Sequence, residues 1–190
     1  YIHLPLQAGS NRILKRMNRT YTKDEFIALV GKIRNYMPDC AISTDIIVGF
    51  PGETEDEFLE TLDVVNTVKF DSSFMFKYSS RPGTKAAEYT DHVSEEEKQH
   101  RLERLINIQR ENTLSSNRGK IGKTLSVMVE KVSKKSSHQW AGRTEGNMWV
   151  VFDMQDEEIK DIVNIKIEDA QGVTLFGSRV NLKEKIYEAA

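Results

Sequence analysis

Three times in the first half of the chain, a hydroxyl residue stands three places before a glutamate at the head of a helical run: Thr22 to Glu25, Thr54 to Glu57 and Ser94 to Glu97. This spacing is a capping box. The hydroxyl accepts from the backbone N–H three residues on, and the glutamate reaches back to the first N–H. Each box follows an apolar or β-branched stretch, "YIHLPL", "CAISTDIIVGF" and "SFMFKYS" in turn. Strand, glycine-bearing loop and capped helix therefore repeat three times. Such a repeat calls for a parallel sheet with right-handed helical crossovers. Either a doubly wound sheet or part of a (β/α) barrel satisfies it, and in both the loops after the strands hold the chemistry.

Periodicity places an apolar face on each helix: Phe26, Leu29, Val30, Ile33 and Met37 on the first, with Pro38 stopping it, and Phe58, Leu62 and Val65 on the second. The run before Pro51 is apolar enough to predict a strand buried on both faces. The third box opens a long helix to about Ser116. From Gly119 the pattern changes to short alternating strands separated by Gly, Asp and Lys-Ser clusters, with no helix among them. That predicts a small all-β, OB-like barrel of about 60 residues, followed by a short amphipathic or frayed tail, 181–190.

The net charge of the 190 residues is −2, so a basic surface has to be local. Cys40 is the single cysteine, which excludes an internal disulfide and any cluster built from several thiolates of this chain. It is expected to be an inert buried thiol in a reducing, cytoplasmic setting. No apolar run reaches membrane-spanning length. The start at Tyr1 suggests a fragment.

Polar groups gather at the strand ends: His3, Gln7, Ser10, Asn11 and Arg12, then Thr44 and Asp45, then Lys77, Tyr78, Ser79 and Arg81. "IIVGF" and "FMFKY" can supply an apolar slot for an adenine, and Gln7 and Ser10 hydroxyl contacts for a ribose. Asp45 can equally pair with a neighbouring strand, and His3 reads as a packed histidine. Arg12, Lys15, Arg16 and Arg19 form a basic side that suits phosphate or merely a solvated face. Lys131, Lys134, Lys135 and Arg143 interleave with Trp140 and Trp149, the mixture of cations and stacking aromatics by which OB-like barrels hold single strands.

"HLPLQAGSNRILKRMNRTYT", "ISTDIIVGFPGETEDEF" and "YSSRPGTKAAE" together resemble, in order and spacing, the methylthiotransferase family of radical S-adenosylmethionine (SAM) enzymes, most closely the MiaB-type tRNA branch. The resemblance implies that residues 1–116 are the C-terminal half of a radical-SAM barrel, with Tyr1–Leu6 its fourth strand, and that 117–180 are a TRAM RNA-binding barrel. It implies SAM contacts from Gln7, Ser10, Asp45, Ile47, Gly49, Phe50, Phe76 and Tyr78. It further implies tRNA contacts from Arg16, Arg19, Arg81, Thr84, Lys131, Lys134, Lys135, Arg143 and Trp149. Glu53 is offset by one place from the family's fifth-strand motif and is expected only to favour the N-terminus of the next helix. Arg-Pro-Gly-Thr at 81–84 points to the tRNA branch over the ribosomal-protein (RimO-type) branch, which tends to carry an acidic version.

By the same resemblance, the whole enzyme has two [4Fe–4S] clusters ligated outside this chain and an electron donor of flavodoxin or ferredoxin type. It methylthiolates C2 of N6-isopentenyladenosine near the tRNA anticodon, and these 190 residues alone do not catalyse. Two other readings remain open: an RNA-binding module whose βα part is only scaffold, and an unrelated phosphate-binding α/β enzyme. A sheet edge left uncovered by the missing half-barrel is expected to promote self-association.

Overall fold

A computed structural model describes residues 1–180, and the expected tail lies outside them. The chain divides into two compact units, Tyr1–Asn112 and Thr113 onward.

The first unit contains β1 (Ile2–His3), α1 (Asn11–Arg16), α2 (Lys23–Tyr36), β2 (Ile42–Val48), α3 (Glu55–Val68), β3 (Ser72–Lys77) and most of α4 (Glu95–Arg118). The sheet is parallel throughout, in the order β1-β2-β3. The capping boxes of α2 and α3 are complete. That of α4 is half-formed. Ser94 Oγ accepts from the Glu97 N–H, but the Glu97 carboxylate turns to Arg101 instead.

β1 is shorter than "YIHLPL" suggests, because Pro5 has no N–H to give the ladder. Pairing resumes beyond it: the Leu6 N–H donates to Thr44 Oγ1, the Gln7 N–H to the Asp45 carbonyl, and the Ile47 N–H to the Gln7 carbonyl.

The core lies on one face of the sheet. Ile42, Ile46 and Val48 of β2 pack with Phe26 and Val30 of α2, Phe58, Leu62 and Val65 of α3, Phe70, and Leu105 of α4. Each fully buried Phe or Ile stabilises this layer by about 2 kcal/mol. Leu29 and Met37 stay exposed, so the apolar stripe of α2 is narrower than its spacing predicts. β2 is not buried on both faces either. Asp45 and Ile47 point away from the helices and are half-buried, and in register beside them Phe74 and Phe76 of β3 are more than half exposed. An apolar strand here serves a core on one side and a hollow on the other.

The second unit is a closed barrel of β4 (Thr124–Val132), β5 (Gln139–Thr144), β6 (Trp149–Asp153), β7 (Ile162–Gln171) and β8 (Thr174–Arg179), ordered β4-β5-β6-β8-β7. All pairs are antiparallel except β6 with β8. Inward-facing Val127, Val129, Val150, Phe152, Ile165, Ile167 and Leu175 fill it. Closure removes the sheet edges.

Candidate functional site

The loops after β1, β2 and β3 enclose a cavity of about 910 Å³ at the C-terminal ends of the strands. Its apolar wall is Ile47, Phe50, Phe76 and Tyr78, with the Phe50 and Tyr78 rings in an edge-to-face contact at 5.1 Å. Gln7 and Asp45 are its polar wall. Gln7 takes a left-handed backbone conformation, φ 69°, which prolongs the pairing with β2 while aiming the chain out of the sheet. Asp45 Oδ2 is 3.3 Å from His3 Nε2, and His3 Nδ1 is 2.7 Å from Ser43 Oγ, so His3 is held in a polar chain along the sheet.

Arg16, Arg19, Arg81 and Thr84 form the rim, together with Lys15 and Lys85. Among the described residues, Lys15, Arg19, Arg81 and Lys85 have no ion-pair partner. Arg16 is already engaged: Nη2 donates to Asp91 Oδ1 and Oδ2 at 2.8 and 3.0 Å, and the guanidinium lies 4.2 Å from the Tyr89 ring centroid. It fastens the segment after Arg-Pro-Gly-Thr and is not a free phosphate ligand. Tyr89 and Lys85 escaped the sequence reading, although "KAAEY" directly follows the loop that did attract notice.

Two residues expected at the cofactor lie off the cavity. Ser10 is the N-cap of α1. Its Oγ accepts from the Ile13 N–H and donates to Glu57 Oε1 at 3.1 Å. Burial alone would raise the Glu57 pKa. The Arg12 guanidinium, the Thr54 N–H and the Ser10 and Thr54 hydroxyls outweigh that and hold it at about 2. Arg12 grips Glu57 through Nε and Nη2, both at 2.6 Å, and also donates to the Gly52 carbonyl. The first loop is thereby tied to the second. Gly9 completes the tie, since a Cβ there would stand 2.4 Å from Thr61 Cα.

Gly49 is the other. Its φ is +69°, and a Cβ would meet Lys98 Cγ at 2.3 Å, so the glycine makes room for a lysine stem of α4. Its N–H donates to Glu53 Oε2 at 2.7 Å. Glu53 also pairs with Arg101 Nη1 at 2.9 Å, and both side chains are almost wholly buried. Burial pushes the Glu53 carboxyl up, against the Gly49 N–H and Arg101. The expectation that Glu53 merely favours a helix terminus is therefore corrected: it is the buried anchor of the "GFPGE" turn. Cys40 is half-buried just before β2.

On the barrel, Trp149 carries two cations, Lys131 Nζ at 4.2 Å and Arg143 Cζ at 4.4 Å from the ring centroid. Arg143 donates to Asn147 Oδ1 at 2.6 Å and stands 3.5 Å from Glu130 Oε1. Lys134 and Lys135 are exposed on the β4–β5 loop. Trp140 is half-buried and packs against the barrel core.

The model of the Radical SAM superfamily matches residues 1–65, and that of the TRAM domain matches 118–180. Proteins called tRNA-2-methylthio-N(6)-dimethylallyladenosine synthase are similar over nearly the whole chain. That of Christiangramia forsetii is 43% identical over 97% of this chain and 38% of its own length. That of Parabacteroides distasonis is 47% identical over 95% and 40%. The chain thus carries a Radical SAM match and a TRAM match, and is similar over nearly its whole length to these synthases. The Radical SAM superfamily in general uses SAM and iron–sulfur clusters. The chain spans about two fifths of the length of these relatives. Among solved structures, coproporphyrinogen III oxidase of Escherichia coli, a radical SAM enzyme, shares the fold with TM-score 0.51 at 15% identity, over 75% of this chain and 40% of that one. No described helix is long and apolar enough to cross a membrane.

Proposed function

We propose that this chain is the SAM- and RNA-binding portion of a tRNA methylthiotransferase that acts on C2 of an N6-isopentenylated adenosine. The observation that supports it most is the cavity: three loops from consecutive parallel strands converge on one apolar slot with a polar wall and a basic rim.

The residues present fit an adenosyl group. Ile47, Phe50, Phe76 and Tyr78 give an apolar, partly aromatic slot; the Asp45 carboxylate can accept from ribose hydroxyls, and the Gln7 amide can donate or accept. They do not fit an iron–sulfur cluster. The chain has one cysteine, and no group of three or more metal-ligating side chains occurs among the described residues. Both clusters are accordingly assigned to parts of the protein outside this chain, and the chain alone is inactive. SAM supplies the radical chemistry when it is bound beside a cluster. What these residues do is seat the adenosine, shield it with Phe50, Phe76 and Tyr78, and draw the polyanionic substrate to Arg19, Arg81 and Lys85.

The barrel adds a second grip, with Trp149 for stacking and Lys131, Lys134, Lys135 and Arg143 for phosphates. On this reading the protein is cytoplasmic, receives electrons from a flavodoxin- or ferredoxin-type donor, and this portion alone self-associates through its open sheet. The domain limits are 1–116 for the half-barrel and 117–180 for TRAM.

Nucleoside mass spectrometry of isopentenylated tRNA incubated with the full-length, reconstituted enzyme tests the reading. Methylthiolated adenosine is expected from wild type and much less from Arg81→Glu. Methylthiolation of a ribosomal protein in place of tRNA would overturn it.

A further inference from the structure

Beside the large cavity, and sharing the wall Lys77–Tyr78–Ser79 with it, lies a second hollow of about 350 Å³. Its other sides are Ser80, His92, Glu95 and Lys98. Lys98 is the unusual member. Its side chain is only 7% exposed, its stem fills the space over Gly49, and its ammonium stands 5.6 Å from the Tyr78 ring centroid. A buried ammonium needs a compensating anion. Among the described residues, its one carboxylate partner is Glu95 at 2.8 Å, which is 72% exposed and also serves Lys77 at 3.5 Å. Two lysines thus share one solvated carboxylate, and the hollow keeps a surplus positive charge. His92, stacked on Tyr78, and the hydroxyls of Ser79 and Ser80 add further donors.

We propose that this hollow seats a backbone phosphate of the RNA, on a nucleotide neighbouring the one whose base enters the large cavity, with Glu95 as the carboxylate it displaces. The inference rests on the proposed function. Several hydrogen-bond donors around a rigidly held lysine suit a phosphate, which offers several acceptor oxygens. The shared wall puts the hollow on the path of any chain entering the cavity, and a polynucleotide brings a negative charge with every unit. Gly49 then acts at one remove from the cofactor, by letting Lys98 approach.

The test is the affinity of the full-length protein for an isopentenylated anticodon stem-loop RNA over a salt series, alongside its affinity for SAM. Lys98→Gln is expected to weaken RNA binding about 5- to 10-fold at low salt and to lower the slope of log K against log salt by about 0.7 to 0.9, one phosphate contact. Glu95→Gln is expected to tighten RNA binding about two- to fivefold, because the competitor for Lys98 and Lys77 is gone. SAM affinity is unchanged in both. A salt slope equal to wild type in Lys98→Gln, an unchanged or weaker affinity in Glu95→Gln, or a parallel change in SAM affinity overturns the proposal. So does displacement by polyglutamate with the RNA slope unaltered, which would assign the hollow to an acidic peptide. Should Lys98→Gln fail to fold, the exposed Glu95→Gln decides alone. Wild type that binds no RNA at all contradicts the underlying reading; wild type that binds RNA while the variants match it contradicts only the phosphate site.

Discussion

The two units put charge to different use. In the α/β unit, Glu53 and Arg101 are buried together and Glu57 is buried beneath a half-exposed Arg12, and these pairs fasten the loops. In the barrel unit the core is apolar, one carboxylate, Glu157, is buried against Arg179, and Arg143 and Lys131 stay on the outside against Trp149. An open three-stranded sheet cannot hold three long loops around a hollow by hydrophobic packing alone, because the loops carry backbone groups that need partners. A closed barrel meets those needs within its own ladders and is free to display cations. Buried ion pairs fasten the loops of the unit that shapes a cavity, while the barrel, with its one buried pair at Glu157, displays cations beside an aromatic ring.

Arg101→Ala should break this contrast most severely. It leaves Glu53 buried and unpaired, at a cost of about 3 to 5 kcal/mol. Hydrogen exchange read by mass spectrometry should show protection lost in 1–112 and kept in 122–180. Equal loss in both units would mean that the charges do not belong to the α/β unit alone.

Acid should separate the units next. Glu57 titrates at about 2 when folded against an ordinary 4.5. Its folded pKa is depressed, so its contribution is complete above the unfolded value and is lost as pH falls toward the folded one. Discounted for solvent screening, this is about 2 kcal/mol. The urea midpoint of the α/β unit should therefore drop between pH 5 and pH 2.5, and Glu57→Gln should remove most of that drop. A midpoint that falls equally in Glu57→Gln would assign the acid sensitivity to other carboxylates.

The smallest stability effect is expected from Trp149→Ala, about 1 kcal/mol or less, since exposed cation–π contacts contribute little. Its effect on RNA affinity should be larger, about 1 to 3 kcal/mol for a lost stacking platform. If stability falls and RNA affinity does not, Trp149 is a structural residue and the barrel's displayed face lies elsewhere.

Much of this was legible in the residues. The capping boxes of Thr22 and Thr54 formed as written because capping is local, settled within four residues. The Ser94 box failed halfway because Arg101, one turn on, competes for the Glu97 carboxylate. The β-barrel followed from alternation alone. Tertiary contacts account for what escaped. β2 reads as an apolar run whether its second face meets helices or a hollow, so the exposure of Phe74 and Phe76 beside it was invisible. Gly49 looked like a ligand-approach glycine, but the approaching group is Lys98, some fifty residues away and separated from it by a strand and a helix. Glu53 looked dispensable because its partner, Arg101, is equally remote in sequence.

Calorimetric titration of SAM into the full-length protein carrying Ile47→Trp addresses the convergence of the three loops most directly. An indole placed between Asp45 and Phe50 fills the slot without touching the helical core, so SAM affinity should fall at least about tenfold with the unfolding midpoint nearly unchanged. Wild-type affinity in that variant would mean that the cofactor does not lie where the three strands end.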